Sequence, residues 1–369
     1  MTRHIAAPKP NDSPTPPTEP MSTFLWIAII TLLTGCSTQE PGASREGPEP
    51  RDRLEMAADY SAAHAGDALV VWESGAVVLQ RAQNGYDLAD PHFLASGTKS
   101  FAGVAAWAAV EDGLVALDER VAATIPEWQD DSTKSQITVR QLLHLTSGLD
   151  AGEAGEAPTF DEAVGTAPLN PPGTTFRYGP TAFQLFGALL QRTRGGEDPL
   201  RYYEQRIFDP LGIEAGPWTY VGGTDPQLAG GAWLTAGDWL RFGRLLLNDG
   251  RWEGEQILPV GLLDALTTPT GASPGYGLTV WLNAPVDPAA SFFEYAPSSL
   301  QPDGPNGMIY DDGPADLFMA AGLFNQRLYV IPSREMVAVR FGRPSRTWSD
   351  AEFLARLLDG QPYEMSNAE

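Results

Sequence analysis

The 369-residue chain has one cysteine, Cys36, so no disulfide can close within it. Histidine is almost as scarce. His4, His64, His92 and His144 show no H-x-H or H-E-x-x-H spacing, so no zinc site is expected. Lysine occurs three times, as Lys9, Lys99 and Lys134, and the rest of the 24 basic residues are arginines. Against 47 acidic residues they leave a formal charge of −23, with no basic cluster to neutralise phosphates. Nucleic acid is thereby excluded as a partner. Neither G-x-x-x-x-G-K-[ST] nor G-x-G-x-x-G follows a strand-like run, so no nucleotide or other organic cofactor is expected. What is present, 43% hydrophobic and 10% aromatic residues, suffices for a globular core.

The longest purely apolar run near the start, Phe24 to Ile30 and on to Leu33, is interrupted only by Thr31. It is too short to span a bilayer and has the length of a signal-peptide core. It ends Leu33-Thr34-Gly35-Cys36. That ending resembles the lipobox of bacterial lipoproteins, in which the cysteine is acylated and becomes the first mature residue. The expectation is a leader over 1–36, starting at Met1 or Met21, with a lipid on Cys36. A signal peptide that merely contains a cysteine is the alternative. Residues 37–52 are rich in Pro, Gly and Glu and read as a flexible tether. The functional domain is expected over 53–363, with a tail at 364–369. Together these imply a lipid-anchored protein of the bacterial cell envelope, facing the periplasm, with the membrane as one partner.

Within the domain, LEMAADYSAAHAG (54–66) has helical spacing and a glycine stop. ALVVWESGAVVLQRA reads as a hairpin turning at Glu73-Ser74-Gly75, and NQRLYVIPSREMVAVRFG as two strands around Pro332-Ser333-Arg334. SDAEFLARLLDG (349–360) closes as an amphipathic helix. Between the hairpins lie helical segments and Gly/Pro-rich loops. The order predicts an α/β (α+β) fold: an antiparallel sheet flanked by helices, with a mostly helical subdomain inserted.

GASPG (271–275) fits the G-x-S-x-G nucleophile elbow, but the residue after its serine is Pro274, which has no N–H to serve an oxyanion. The elbow's histidine follows the serine in chain order, whereas the last histidine here is His144. GASPG is therefore read as a loop. The other candidate is Ser96-Gly97-Thr98-Lys99, opening the apolar run FAGVAAWAAV. Residues three apart share a helix face, so Lys99 can reach Ser96. Unlike arginine, a lysine can lose its proton near neutrality when buried. Serine in a first turn also sits among free backbone N–H groups that favour an oxyanion. Nucleophile, base and oxyanion donor would then coincide without a histidine. The bland alternative is Ser96 as an N-cap and Lys99 snorkelling to solvent.

Three further segments decide between these. ITVRQLLHLTSGLD (137–150), PPGTTFRYGPTAFQLFGALL (171–190) and GGAWLTAGDWLRFGRLLLNDGRWEGEQIL (230–258) resemble, in order, segments of the serine β-lactamase-related hydrolases. That family includes class C β-lactamases, penicillin-binding proteins and esterases, with relatives such as 6-aminohexanoate-dimer hydrolase. The resemblance covers about residues 55 to 360 and implies a β-lactamase/transpeptidase-like fold with Ser96 as nucleophile and Lys99 as its base. It makes Tyr178 the tyrosine of the family's Y-x-N motif, with a phenol whose pKa a nearby ammonium would lower. Lys99 and Tyr178 both stay open as the group that takes the first proton. The third motif aligns with Ala320-Ala321-Gly322, which makes the N–H of Leu323 the second oxyanion donor beside that of Ser96.

Two positions depart from the family. Pro180 stands where Y-x-N has asparagine, and Ala320 where K-T-G or H-x-G has a cation. The acylating machinery is kept, while the groups that grip a β-lactam or a D-Ala-D-Ala peptide are weakened. The expected function is a serine hydrolase (an esterase or amidase) acting on a small ester or amide through an acyl-enzyme. The alternatives are a D-alanyl carboxypeptidase or β-lactamase, and a non-catalytic envelope binding protein of the same fold.

Overall fold

A computed structural model describes residues 50–287, 301, 304 and 306–363. The leader with Cys36, most of the tether and the tail lie outside the described residues. The first helix, α1 (Pro50–Ala63), begins before the expected end of the tether at 52, and Asp52 sits in its first turn where the dipole favours an acid. Among the described residues no helix is long and apolar enough to cross a membrane.

The two hairpins form where the sequence places them. Strands β1 (Gly66–Glu73) and β2 (Ala76–Ala82) turn through Ser74 and Gly75, both at positive φ. Four more strands follow late in the chain: β3 (Trp281–Leu282), β4 (Phe318–Gly322), β5 (Gln326–Ile331) and β6 (Met336–Gly342). They assemble into one sheet of order β2-β1-β6-β5-β4-β3. Neighbouring strands in it all pair antiparallel, including β1 with β6, where Val70 faces Val339. β1, β4, β5 and β6 are almost wholly buried, which demands cover on both faces, whereas edge strand β2 is mostly exposed.

That cover divides along β6 with the period of two that a strand imposes. Phe341 stacks on Trp239 of α4 (Ala236–Leu247), and Val337 packs close to Gly243 of the same helix. Arg340 points to the opposite face, where its guanidinium lies 3.9 Å from the Trp348 ring and bonds the His64 carbonyl at the end of α1. The closing helix α5 (Asp350–Leu354), continued by a π turn over Ala355–Asp359, packs on that face beside α1. One buried ion pair ties it to the sheet: Arg327 of β5 holds Asp350 through two bonds of 2.8 and 3.0 Å. Burial alone would raise the Asp350 pKa, but Arg327 prevails and holds the carboxyl below its usual range.

The insert between β2 and β3 is mostly helical. Its central helix α2 (Lys99–Glu111) is apolar nearly all round, with Phe101, Ala102, Val104, Ala105, Ala106, Ala108 and Ala109 fully buried. A helix of this composition belongs in the middle of a domain. Helix α3 (Thr181–Thr193) lies beside it, opened by Pro180.

Candidate active site

The nucleophile candidate sits in a single 3₁₀ turn, Ala95–Thr98, that runs directly into α2. Ala95 has φ +47°, a left-handed conformation unfavourable for a residue with a Cβ. Such a position persists only where its surroundings over-determine it. Here the Leu94 N–H is held by the Ala232 carbonyl at 3.0 Å, and the Ala95 carbonyl accepts the Thr98 hydroxyl at 2.7 Å. The turn thereby presents the Ser96 side chain to a cavity and leaves its N–H among the first-turn donors that have no intrahelical acceptor.

Lys99 is buried at the base of this turn. Its Nζ lies 3.0 Å from Ser96 Oγ and donates to the Ala229 carbonyl at 2.7 Å. The rings of Tyr178 and Phe183 flank it, with centroids 4.9 and 5.2 Å from Nζ. Removal from water disfavours the ammonium and brings its pKa down to about 7. Snorkelling to solvent is thus replaced by a buried amine in contact with a serine.

Tyr178 is buried in the same cluster, stacked on Trp281 and edge-on to Tyr276. The expectation of a lowered phenol pKa is corrected by the structure. Burial pushes the phenol up, and the Ser96 hydroxyl and the charge of Arg327 offset this only in part. The reason is geometric: Lys99 faces the ring of Tyr178 and is itself inclined to be neutral, so no fixed ammonium stabilises a phenolate. Of the two groups, the amine is the one able to accept a proton near neutrality.

The third-motif segment, Ala320-Ala321-Gly322, is the end of β4, pressed against the nucleophile turn. A Cβ on Gly322 would stand 2.1 Å from the Leu94 carbonyl oxygen and 3.1 Å from the Gly97 nitrogen, so only glycine permits this approach. Leu323 follows at the cavity wall. The next two residues, Phe324 and Asn325, both have positive φ and turn the chain back into β5. Arg327 also bonds the Gly322 carbonyl at 3.2 Å, linking this turn to the buried ion pair.

The cavity over Ser96 opens to solvent. Phe93, Ala154, Pro180 and Leu323 give it an apolar wall, Gln227 and Tyr178 add polarity, and Lys99 is the one charged side chain among the described lining residues. Pro180 lines it and offers no side-chain hydrogen bond. GASPG lies elsewhere: Ser273 is buried, with its hydroxyl engaged by Thr270 and the Tyr276 carbonyl. His144 is likewise away from the cavity lining, and burial followed by the charge of Arg140 lowers its pKa to about 4. Among the described residues no cluster of His, Cys, Asp and Glu could hold a metal ion.

Sequence reasoning did not find Ala229, Phe183 or Phe93. Ala229 acts through a backbone carbonyl, which no side-chain pattern reveals, although it adjoins the quoted GGAW segment. Phe183 reads as ordinary core on an amphipathic helix.

A six-stranded antiparallel sheet covered by helices, with a serine and a buried lysine one turn apart in the inserted helical segment, defines the class. The Beta-lactamase family model matches residues 51–350, and the chain belongs to that family. Among individual relatives, a lovastatin esterase of Penicillium rubens is 34% identical over a stretch covering 34% of this chain and 39% of that protein. A Bacillus anthracis protein assigned as a 6-aminohexanoate-dimer hydrolase has the same fold, with TM-score 0.60 and 23% identity, covering 79% of this chain and 77% of that one. A penicillin-binding protein homologue of Caulobacter crescentus superposes with TM-score 0.62 at 18% identity, covering 85% and 97%. The match spans under half the length of the curated relatives.

Proposed function

We propose that the chain is a serine hydrolase that cleaves an ester or small amide through an acyl-enzyme on Ser96. The observation that carries this is the buried Lys99 amine, 3.0 Å from Ser96 Oγ with one N–H taken by the Ala229 carbonyl. A neutral amine so held has its lone pair free for the serine proton. Ser96 Oγ attacks the carbonyl carbon as its proton passes to Lys99 Nζ, and the N–H groups of Ser96 and Leu323 receive the oxyanion. On collapse, Tyr178, kept protonated by burial, gives its proton to the leaving group and regains one from the Lys99 ammonium. Water then attacks the acyl-enzyme by the reverse route, releasing the acid and restoring Ser96.

The ester or amide preference is supported by the departures at Pro180 and Ala320, which remove an amide partner and a cation from the neighbourhood of the substrate. The esterase name of the Penicillium rubens relative agrees with it. Purified protein should turn over a p-nitrophenyl ester and be labelled by a fluorophosphonate, and Ser96→Ala should lose both. Full activity in that variant would sink the reading. A stable adduct of a fluorescent penicillin on Ser96 would instead favour the carboxypeptidase or β-lactamase alternative.

We further read the enzyme as tethered at the bacterial envelope by a lipid on Cys36, supported by the L-T-G-C ending of the apolar run. Cells fed an alkyne fatty acid should label the protein, and Cys36→Ser should abolish that labelling.

A further inference from the structure

The direction of the Lys99 amine is set by a carbonyl, and that carbonyl belongs to a loop with an unusual anchor. Helix α3 carries Gln184, fully buried, whose Oε1 accepts the N–H of Leu228 at 2.9 Å. Leu228 immediately precedes Ala229, the residue whose carbonyl accepts a hydrogen bond from Lys99 Nζ. The other half of the Gln184 amide, Nε2, is buried with no partner. A side chain chosen only to fill this space would be leucine or methionine, which leave no donor unsatisfied. Among the described residues, the one hydrogen bond its side chain makes is to the loop that holds the base.

The far end of the same loop is tied as well. The Thr98 hydroxyl accepts the Ala232 N–H at 3.2 Å while donating to the Ala95 carbonyl at 2.7 Å. Residues 228–232 are therefore clamped between α3 and the nucleophile turn, with the Ala229 carbonyl in the middle. Gln227, Ala229 and Gly230 also form part of the cavity wall, so slack in this loop would both misdirect the amine and let water reach it.

We propose that Gln184 is a positioning residue for Lys99: by fixing residues 227–230 through Leu228, it holds the Ala229 carbonyl that turns the amine's lone pair toward Ser96. The proposal rests on the hydrolase reading of Ser96 and Lys99. It follows that Gln184 touches neither substrate nor reacting atoms, yet sets the efficiency of the first proton transfer. The titratable groups facing Nζ are Ser96 on its own turn and Tyr178 on the segment before α3. Tyr276 and the charge of Arg327 act on Tyr178 from behind. The 227–230 loop contributes no ionisable side chain.

The test uses a readout that exists without any substrate. Only three lysines occur in the chain, so protein labelled with ¹³Cε-lysine gives a spectrum in which Lys99 is identified by its loss in Lys99→Met. In the wild type the Lys99 signal should titrate near 7. In Gln184→Leu the midpoint should move upward by about one pH unit as water reaches the amine. Turnover of a p-nitrophenyl ester should fall about 10- to 100-fold in kcat, with KM changed less than about twofold. Gln184→Glu keeps an acceptor oxygen on the same stem and should restore kcat to within about threefold of wild type. If Gln184→Leu does not fold, Gln184→Met, unbranched and of similar length, carries the same expectations. A folded variant whose Lys99 midpoint and kcat both match wild type overturns the proposal. A wild-type Lys99 that titrates near 10.5, with no turnover, refutes instead the hydrolase reading beneath it.

Discussion

Burying a lysine beside Ser96 has a thermodynamic signature that can be read without knowing the substrate. The Lys99 pKa falls from 10.5 to about 7 through burial, a change equivalent to about 5 kcal/mol between its two protonation states. The unfolded chain binds this proton up to about pH 10.5, whereas the folded chain releases it above about 7. Between those values the unfolded state holds more protons, so stability rises with pH across that window. Below 7 both states are protonated, and the full penalty of burying an ammonium is present. Lys99→Met, which carries no charge, should therefore be more stable than wild type by several kcal/mol at pH 6. That advantage should shrink steadily toward pH 10.5. Denaturant titrations of both proteins at pH 6, 8 and 10 measure it directly. A stability difference independent of pH across this range would refute the burial of Lys99 as the source of its basicity. The same group predicts a kcat/KM that rises with pH through about 7, because only the neutral amine can accept the serine proton.

Other perturbations probe separate parts of the site. Tyr178→Phe keeps the aromatic packing against Trp281 and removes the phenol, so kcat should fall by about 10²–10⁴ with little change in melting temperature; steady-state kinetics and calorimetry together decide it. Gly322→Ala introduces a Cβ against the Leu94 carbonyl and must displace β4 from the nucleophile turn. Fluorophosphonate labelling of the folded variant should slow more than about tenfold, and an unchanged rate would show that this approach does not matter. Asp350→Ala removes the buried carboxylate that Arg327 holds and should lower unfolding free energy by about 3–5 kcal/mol, measured by denaturant titration.

The parts of this molecule legible in sequence were those with short periods and local chemistry. Both hairpins, the closing helix and the spacing of Ser96 from Lys99 depend on residues near one another in the chain, so their patterns survive as text. Rejecting GASPG needed only the missing N–H of Pro274 and the lack of any histidine after it, and the structure leaves Ser273 buried away from the cavity. The start of α1 at Pro50 was missed because the acidic, proline-containing run before it resembles a tether more than a helix. The pKa of Tyr178 was misread because its sign depends on three-dimensional burial and on whether Lys99 carries its charge. Gln184 and Ala229 were invisible for a related reason. One acts through a single bond to a backbone 44 residues away, and the other through a carbonyl that every residue possesses.

The sheet order carries a consequence for how the protein is made. Strands β1 and β6 lie side by side in the middle of the sheet, yet Val70 and its partner Val339 come from nearly opposite ends of the described chain. The turn at Ala95–Thr98 comes early in the described chain, but the strand end that packs against it, the Gly322 side of β4, is joined to that central pair only through β5. Long-range antiparallel pairing of this kind closes late and slowly. Ser96 therefore emerges from the ribosome long before the strand pairing that brackets it can form. During that interval the turn carries Ser96 and Lys99 without the Gly322 end of β4 packed against it, so the cavity wall that includes Leu323 is completed only with the last strands.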